Sequence, residues 1–189
     1  MKVLGIMGSP RKGGNTDLLL DEALKGAKSA GAEVEKIVVD DLNIAPCREY
    51  YGCLRDGQCV IKDDMEAIYP KLLEADIVIL ASPIFFYGLS AQVKALIDRC
   101  QALWARKYIL KQASPSGRKR KGALIAVGAT RGKRLFEGPA LTAKYFFQAV
   151  DVEAGGELLV RGVDKKGEIK EHPTALKEAF ELGKRLFQA

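Results

Sequence analysis

The chain has 189 residues, 48% hydrophobic and 29% charged, which suits one well-filled core and excludes a disordered segment. Thirty basic against twenty-four acidic residues give a net charge of +6, which favours anionic ligands. The basic residues are spread along helices rather than banked among aromatics, so no nucleic-acid partner is expected.

Taken in order, Val3–Met7 is a short apolar strand, followed by the glycine-bearing stretch Gly8–Thr16. Asp17–Ala30 then carries Leu19, Leu20, Ala23, Leu24 and Ala27 at helical spacing, with Asn15 or Thr16 as its N-cap. Glu33–Val39 alternates as a second strand, Asp63–Leu73 is helical, and Ala75–Ala81 reads as a buried third strand. Val93, Leu96, Ile97, Cys100, Leu103 and Trp104 make one helical stripe, with Lys94, Asp98, Arg99 and Gln101 on the solvent side. Ala123–Val127 is a fourth strand, Pro139–Val150 a helix, Glu157–Arg161 a fifth strand, and Leu176–Phe187 a final amphipathic helix.

Five successive βα units imply an α/β fold: a doubly wound three-layer sandwich, a five-stranded parallel sheet covered by helices on both sides. Right-handed crossovers favour the strand order 2-1-3-4-5. No linker or repeat divides residues 1–189, so a single domain is expected. Ile77–Leu89 is too short to cross a bilayer and contains Ser82 and Pro83, so no membrane partner is expected. Lys2 leads straight into a strand without a secretory pattern, which makes a cytoplasmic protein the expectation. Its four cysteines are then thiols or metal ligands rather than disulfides.

In such a sheet, ligands bind beyond the carboxyl ends of the strands where the order reverses, between strands one and three. The first loop there, Gly8-Ser-Pro-Arg-Lys-Gly-Gly-Asn-Thr16, offers helix N-terminal amides to an anion, with Ser9, Thr16 and Arg11 as further donors. It is not a nucleotide-triphosphate loop, because Gly14 and Asn15 occupy the lysine and hydroxyl positions. Nor is it a dinucleotide fingerprint, since Gly5 and Gly8 have the wrong interval. One terminal phosphate fits best.

The second loop, Ser82-Pro-Ile-Phe-Phe-Tyr-Gly88, is apolar and aromatic and should lie beside the first. Pro83 stiffens its start, and Gly88 is expected to supply an unusual backbone geometry. It suits a flat heteroaromatic ring.

These two stretches, with Ser90-Ala-Gln-Val-Lys-Ala-Leu-Ile-Asp-Arg99, resemble the NAD(P)H-dependent FMN reductases of the flavodoxin-like superfamily, most of all the iron–sulfur flavoprotein branch. The resemblance implies FMN as cofactor and NAD(P)H as co-substrate. It sets Ser9, Arg11, Gly14, Asn15 and Thr16 at the FMN phosphate. It sets Pro83, Ile84, Phe85, Phe86, Tyr87 and Gly88 along the ribityl chain and isoalloxazine. The expected activity is hydride transfer from nicotinamide to flavin, then reduction of a quinone, flavin or nitro- or azo-aromatic acceptor at the same face. No catalytic side chain is nominated, because the flavin carries the chemistry. A flavodoxin-like electron carrier and a non-enzymatic flavin-binding module are the alternatives. The resemblance also implies a homo-oligomer, a dimer or tetramer.

Gly128–Arg134 should form a third wall, with Arg131 or Lys133 available to reduced flavin or a nicotinamide phosphate. Arg118-Lys-Arg-Lys121 precedes strand four and is expected to be a solvated face.

The branch carries C-x2-C-x2-C and a later fourth cysteine. Here Cys47, Cys53 and Cys59 fit, but the second position is Tyr50, a poor substitute for a soft thiolate. Cys100 sits in the helical stripe as a packing residue. Three cysteines could still hold a cluster with one open site, or zinc completed by a carboxylate, but the favoured expectation is a loop without metal or iron–sulfur cluster, surviving as a lid that brings Tyr50 and Tyr51 near the flavin or a subunit boundary. His172 before Pro173 is expected to be structural, and Asp40-Asp41 and Asp63-Asp64 to be helix caps.

Overall fold

The computed structural model describes every residue except 113–116, 118 and 189. Its strands are β1 (Lys2–Met7), β2 (Glu33–Val38), β3 (Ile77–Phe85), β4 (Gly88–Leu89), β5 (Lys121–Gly128) and β6 (Glu153–Arg161). The helices are α1 (Asn15–Ser29), α2 (Cys53–Asp56), α3 (Met65–Glu74), α4 (Ala91–Arg99), α5 (Gln101–Tyr108), α6 (Glu137–Ala149) and α7 (Ala175–Gln188).

Five strands are parallel in the order β2-β1-β3-β5-β6, the doubly wound arrangement the sequence implies. The sheet has a sixth strand that the periodicity did not reveal. β4 pairs antiparallel with the end of β3, Ile84 opposite Leu89 and Phe85 opposite Gly88. The aromatic stretch is thus mostly hairpin rather than loop, and β3 runs four residues beyond its expected end at Ala81. Pro83 is tolerated because β1 has already ended at Met7, opposite Ala81, so no neighbour on that side needs its missing N–H.

Alternation along the strands feeds two cores. Leu4, Ile6, Val78, Leu80 and Leu124 pack on the α3–α6 side, with Phe146 and Phe147 of α6 among their partners. Val3, Met7, Ile77, Ile79 and Ile125 pack beneath α1 and α7. Burial on both faces is why β3 reads as a continuous apolar run. α1 and α7 cross closely, since a Cβ on Gly26 would strike the Phe180 carbonyl and one on Gly183 the Ala23 carbonyl.

Three further expectations change. The stripe from Val93 to Trp104 breaks at Cys100, whose N–H is shared between the Leu96 and Ile97 carbonyls at 3.2 and 3.0 Å. Arg99 is buried, not solvated. In the basic run before β5, Arg118 lies outside the described residues and Lys119 is exposed, but Arg120 is buried. Its Nε donates to the Ala75 carbonyl at 2.7 Å, and its other nitrogens donate to the Val150 carbonyl at 2.6 Å and the Leu72 carbonyl. One guanidinium thereby satisfies carbonyls left over at the ends of α3 and α6.

His172 is structural as expected, its Nδ1 accepting the Ala175 N–H at 3.1 Å at the start of α7. Asp63 and Asp64 serve their loop, with Asp63 accepting the Met65 N–H at 3.0 Å and Asp64 the Asn43 N–H at 2.7 Å.

Candidate functional site

The loops after β1 and β3 do meet. Gly8 N–H donates to the Ala81 carbonyl at 2.8 Å, and the buried Ser90 hydroxyl donates to the Gly8 carbonyl at 2.6 Å. Ser90 N–H in turn donates to Ser82 Oγ at 3.0 Å, so two serines clamp the glycine loop to the hairpin. A side chain at Gly8 would strike Val93, which makes this approach dependent on glycine.

The N-cap of α1 is Gly14, not Asn15 or Thr16; extended backbone there (φ −81°, ψ 179°) turns the chain into the helix. The first intrahelical bond runs from Leu18 N–H to the Gly14 carbonyl at 3.0 Å, so the N–H groups of Asn15, Thr16 and Asp17 precede the helix ladder. Gly13 takes a left-handed φ of 68°, and its N–H is held by Asp17 Oδ2 at 2.7 Å. The Asp17 charge is offset by Lys36, which also pairs with Asp21 at 2.6 Å. The helix terminus therefore keeps a positive field.

Ser9 is buried and its Oγ accepts the Arg11 N–H at 3.2 Å, leaving the hydroxyl proton free to donate. Arg11 is exposed, with Nη1 at 3.3 Å from the Asp164 carbonyl. Asn15 uses both ends of its amide on the loop after β6: Nδ2 donates to the Lys165 carbonyl at 2.9 Å, and Oδ1 accepts the Ile169 N–H at 3.1 Å. Thr16 is buried. Lys166, from the same late loop, lies over Gly13. Nothing in the sequence pattern marked that loop, because the link is long-range.

The hairpin turn is Phe86-Tyr87, and these residues, not Gly88, carry the unusual backbone, with φ of 48° and 61°. Two left-handed residues between paired strands match a type I′ turn, whose normal occupants are Asn and Gly. Phe86 is fully exposed, while Phe85 and Tyr87 are about half exposed. Pro83 and Ile84 are half-buried. A Cβ on Gly132 would collide with the Tyr87 hydroxyl, so the third loop backs this ring directly. Arg131 instead packs its guanidinium against Gly162, in the turn after β6.

A second cluster lies on the loop between β2 and α3. Arg99 Nη1 donates to the Ala45 carbonyl at 2.9 Å, Nη2 donates to the Ile61 carbonyl at 3.1 Å, and the guanidinium pairs with buried Asp63 at 2.5 Å. Both ends of the cysteine loop are thereby tied to one buried cation. Between them, Cys47, Cys53, Cys59, Tyr50 and Tyr51 line a cavity of about 490 Å³. Burial pushes the Cys53 thiol up, and the neighbouring Cys59 and Cys47 push it further. Sequence reading missed this role for Arg99, which it placed on the solvent side of its helical stripe.

A family model described as NADPH-dependent FMN reductase matches residues 1–136, which hold the glycine loop, the hairpin and the cysteine loop. An iron-sulfur flavoprotein of Methanocaldococcus jannaschii is 43% identical over 131 residues, 69% of this chain and 64% of that protein. One from Archaeoglobus fulgidus is 38% identical over 156 residues, 82% of this chain and 76% of its own. The NAD(P)H:quinone oxidoreductase of Methanothermobacter marburgensis superposes with a TM-score of 0.72 at 16% identity, covering 98% of each chain, a likeness of fold. With the match spanning every wall of the crevice up to Phe136, the chain belongs to the NADPH-dependent FMN reductase family.

Proposed function

We propose that this protein is an FMN-dependent NAD(P)H oxidoreductase whose site is the crevice between the glycine loop and the Phe86-Tyr87 hairpin. The observation that carries the reading is the join of these two elements through Ser90 and Gly8, at the sheet's reversal point.

The residues present fit a flavin monophosphate. Three helix-leading amides, a free Ser9 proton and the Arg11 and Lys166 cations suit one terminal phosphate. Asn15 contributes its backbone N–H, and its side chain braces the loop from Lys165 to Ile169. Gly14 lets the chain enter the helix beside the Arg11 carbonyl, where a Cβ would be 2.7 Å away. The edge from Pro83 to Gly88 supplies the apolar wall, with Phe85 and Tyr87 keeping water from one face of a ring. Bound there, FMN would supply the group that takes hydride from the nicotinamide and passes electrons to a quinone, flavin or aromatic acceptor.

The protein's own work is positioning and charge. Lys133 adds positive charge to the third wall, while the Arg131 guanidinium lies against Gly162, and no side chain is assigned as a general base. Donor and acceptor use one face in turn. The homodimer or tetramer that the family resemblance implies and a reducing, cytoplasmic setting for its free thiols belong to the same proposal. Among the described residues, no helix is long and apolar enough to cross a membrane.

Anaerobic stopped-flow mixing of the FMN-loaded protein with NADPH and with NADH tests this reading. Bleaching of the flavin on a turnover timescale, followed by recovery with a quinone, is the expected result. A flavin that stays yellow with both nucleotides would instead mark an electron carrier or a binding module.

A further inference from the structure

The relatives' names raise the question of an iron–sulfur cluster, and the cysteine loop answers it unevenly. A four-iron cluster takes four thiolates. This loop offers three, and among the described residues no trio of Cys, His, Asp or Glu is grouped closely enough to share an ion. As it stands, the donor set does not fit.

The rest of the loop is shaped as if it did. Cys47 and Cys53 are six positions apart with Tyr50 midway, the interval at which a C-x2-C-x2-C run places its middle ligand. All three positions, and Cys59, line the same 490 Å³ cavity. The backbone on either side of Tyr50 is left-handed, with φ of 53° at Glu49 and 56° at Tyr51, and Gly52 then returns to the right-handed region (φ −56°, ψ −35°). Alternation of that kind turns successive N–H groups into one concavity that suits an anion, and Fe–S sites use it. Arg99 completes the setting. Its guanidinium ties both ends of the loop through the Ala45 and Ile61 carbonyls, and its buried Nε has no acceptor among the described residues. A buried cation with a spare donor is a counter-charge for a thiolate-ligated, anionic group.

We propose that Tyr50, standing where the run needs its second thiolate, keeps this chain from holding a four-iron cluster, and that a cysteine there lets the loop close around one. A phenol is a hard donor for iron, and its oxygen lies a ring's length beyond the place of a thiol sulfur. Tyr50 is 60% exposed, so the ring stands at the cavity's rim. The proposal rests on the loop and its cysteine spacing, independently of the flavin reading.

The test compares wild type, Tyr50→Cys and the double variant Tyr50→Cys/Cys53→Ser after anaerobic incubation with ferrous iron, inorganic sulfide and a thiol reductant. The readouts are iron and acid-labile sulfide per chain and the low-temperature paramagnetic spectrum after dithionite reduction. Wild type should retain less than one iron per chain, Tyr50→Cys about four, and the double variant should fall back toward wild type. Wild type loading as much iron as Tyr50→Cys would overturn the proposal. So would a folded Tyr50→Cys protein, with wild-type circular dichroism, that loads none. A Tyr50→Cys chain that failed to fold would also count against it, since the proposal treats position 50 as exchangeable.

Discussion

The Ser90 hydroxyl donates to the Gly8 carbonyl at 2.6 Å while accepting the Val93 N–H at 3.3 Å, so one buried side chain caps α4 and straps the hairpin to the glycine loop. Ser90→Ala leaves both groups without that partner. It should cost about 1–3 kcal/mol of stability, read from urea unfolding, and weaken FMN binding by roughly tenfold because the loop loses its brace. Unchanged stability with unchanged FMN affinity would remove the strap from the account.

The Phe86-Tyr87 turn holds two bulky residues in left-handed backbone, at a cost of about 1–2 kcal/mol each. Replacing the pair with Asn-Gly should therefore raise stability by about 1 kcal/mol or more, seen as a higher Tm. The same change should lower kcat/KM for aromatic acceptors several-fold, since the exposed ring of Phe86 is lost. A destabilised variant would mean the turn is not strained as described.

Arg99 and Asp63 form a buried pair, and removing one partner strands the other. Arg99→Met should cost about 3–5 kcal/mol and loosen the cysteine loop at both ends. Burial alone would raise the Asp63 pKa, but the Arg99 hydrogen bond and the Ala45 and Met65 N–H groups outweigh it and hold it below its usual value. The contribution is therefore present above the unfolded-chain value of about 4 and is lost as pH falls through the lower folded value. The stability gap between wild type and Asp63→Asn should close over that range. A gap constant down to the acid end would contradict the assignment.

The architecture was legible because both cores are fed by simple alternation: Val3, Leu4, Ile6 and Met7 already divide between the two sheet faces. The candidate crevice was legible where its geometry is local, as in the loop from Gly8 to Thr16. Its braces were not, because they depend on long-range pairing. Arg99 and Arg120 look like surface cations until the carbonyls they meet, from Ala45, Ile61, Leu72 and Val150, are brought round by the fold. Asn15 looks like a cap until Lys165 and Ile169 arrive beside it. Gly88 drew attention as the hairpin's glycine, yet the strain falls on Phe86 and Tyr87, which no composition rule favours there.

Thiol accessibility gives an independent check. Cys100 is buried and its Sγ donates to the Leu96 carbonyl at 3.4 Å; burial pushes its pKa well up. A maleimide reagent under native conditions should label Cys47, Cys53 and Cys59, with Cys100 reacting at least about a hundredfold more slowly unless the protein is unfolded. Equal labelling of all four by mass spectrometry would show that the α4–α5 junction opens freely.

The central claim is that helix-leading amides and neighbouring cations grip a phosphate while the hairpin holds a ring. Calorimetric titration of the flavin-free protein with FMN and with riboflavin, which share the ring and differ in the phosphate, measures it directly. The account predicts that FMN binds roughly a hundredfold tighter, the worth of about one strong charge-assisted hydrogen bond, with the difference shrinking in Arg11→Ala. Equal affinity for the two flavins, or no binding of either, would contradict it.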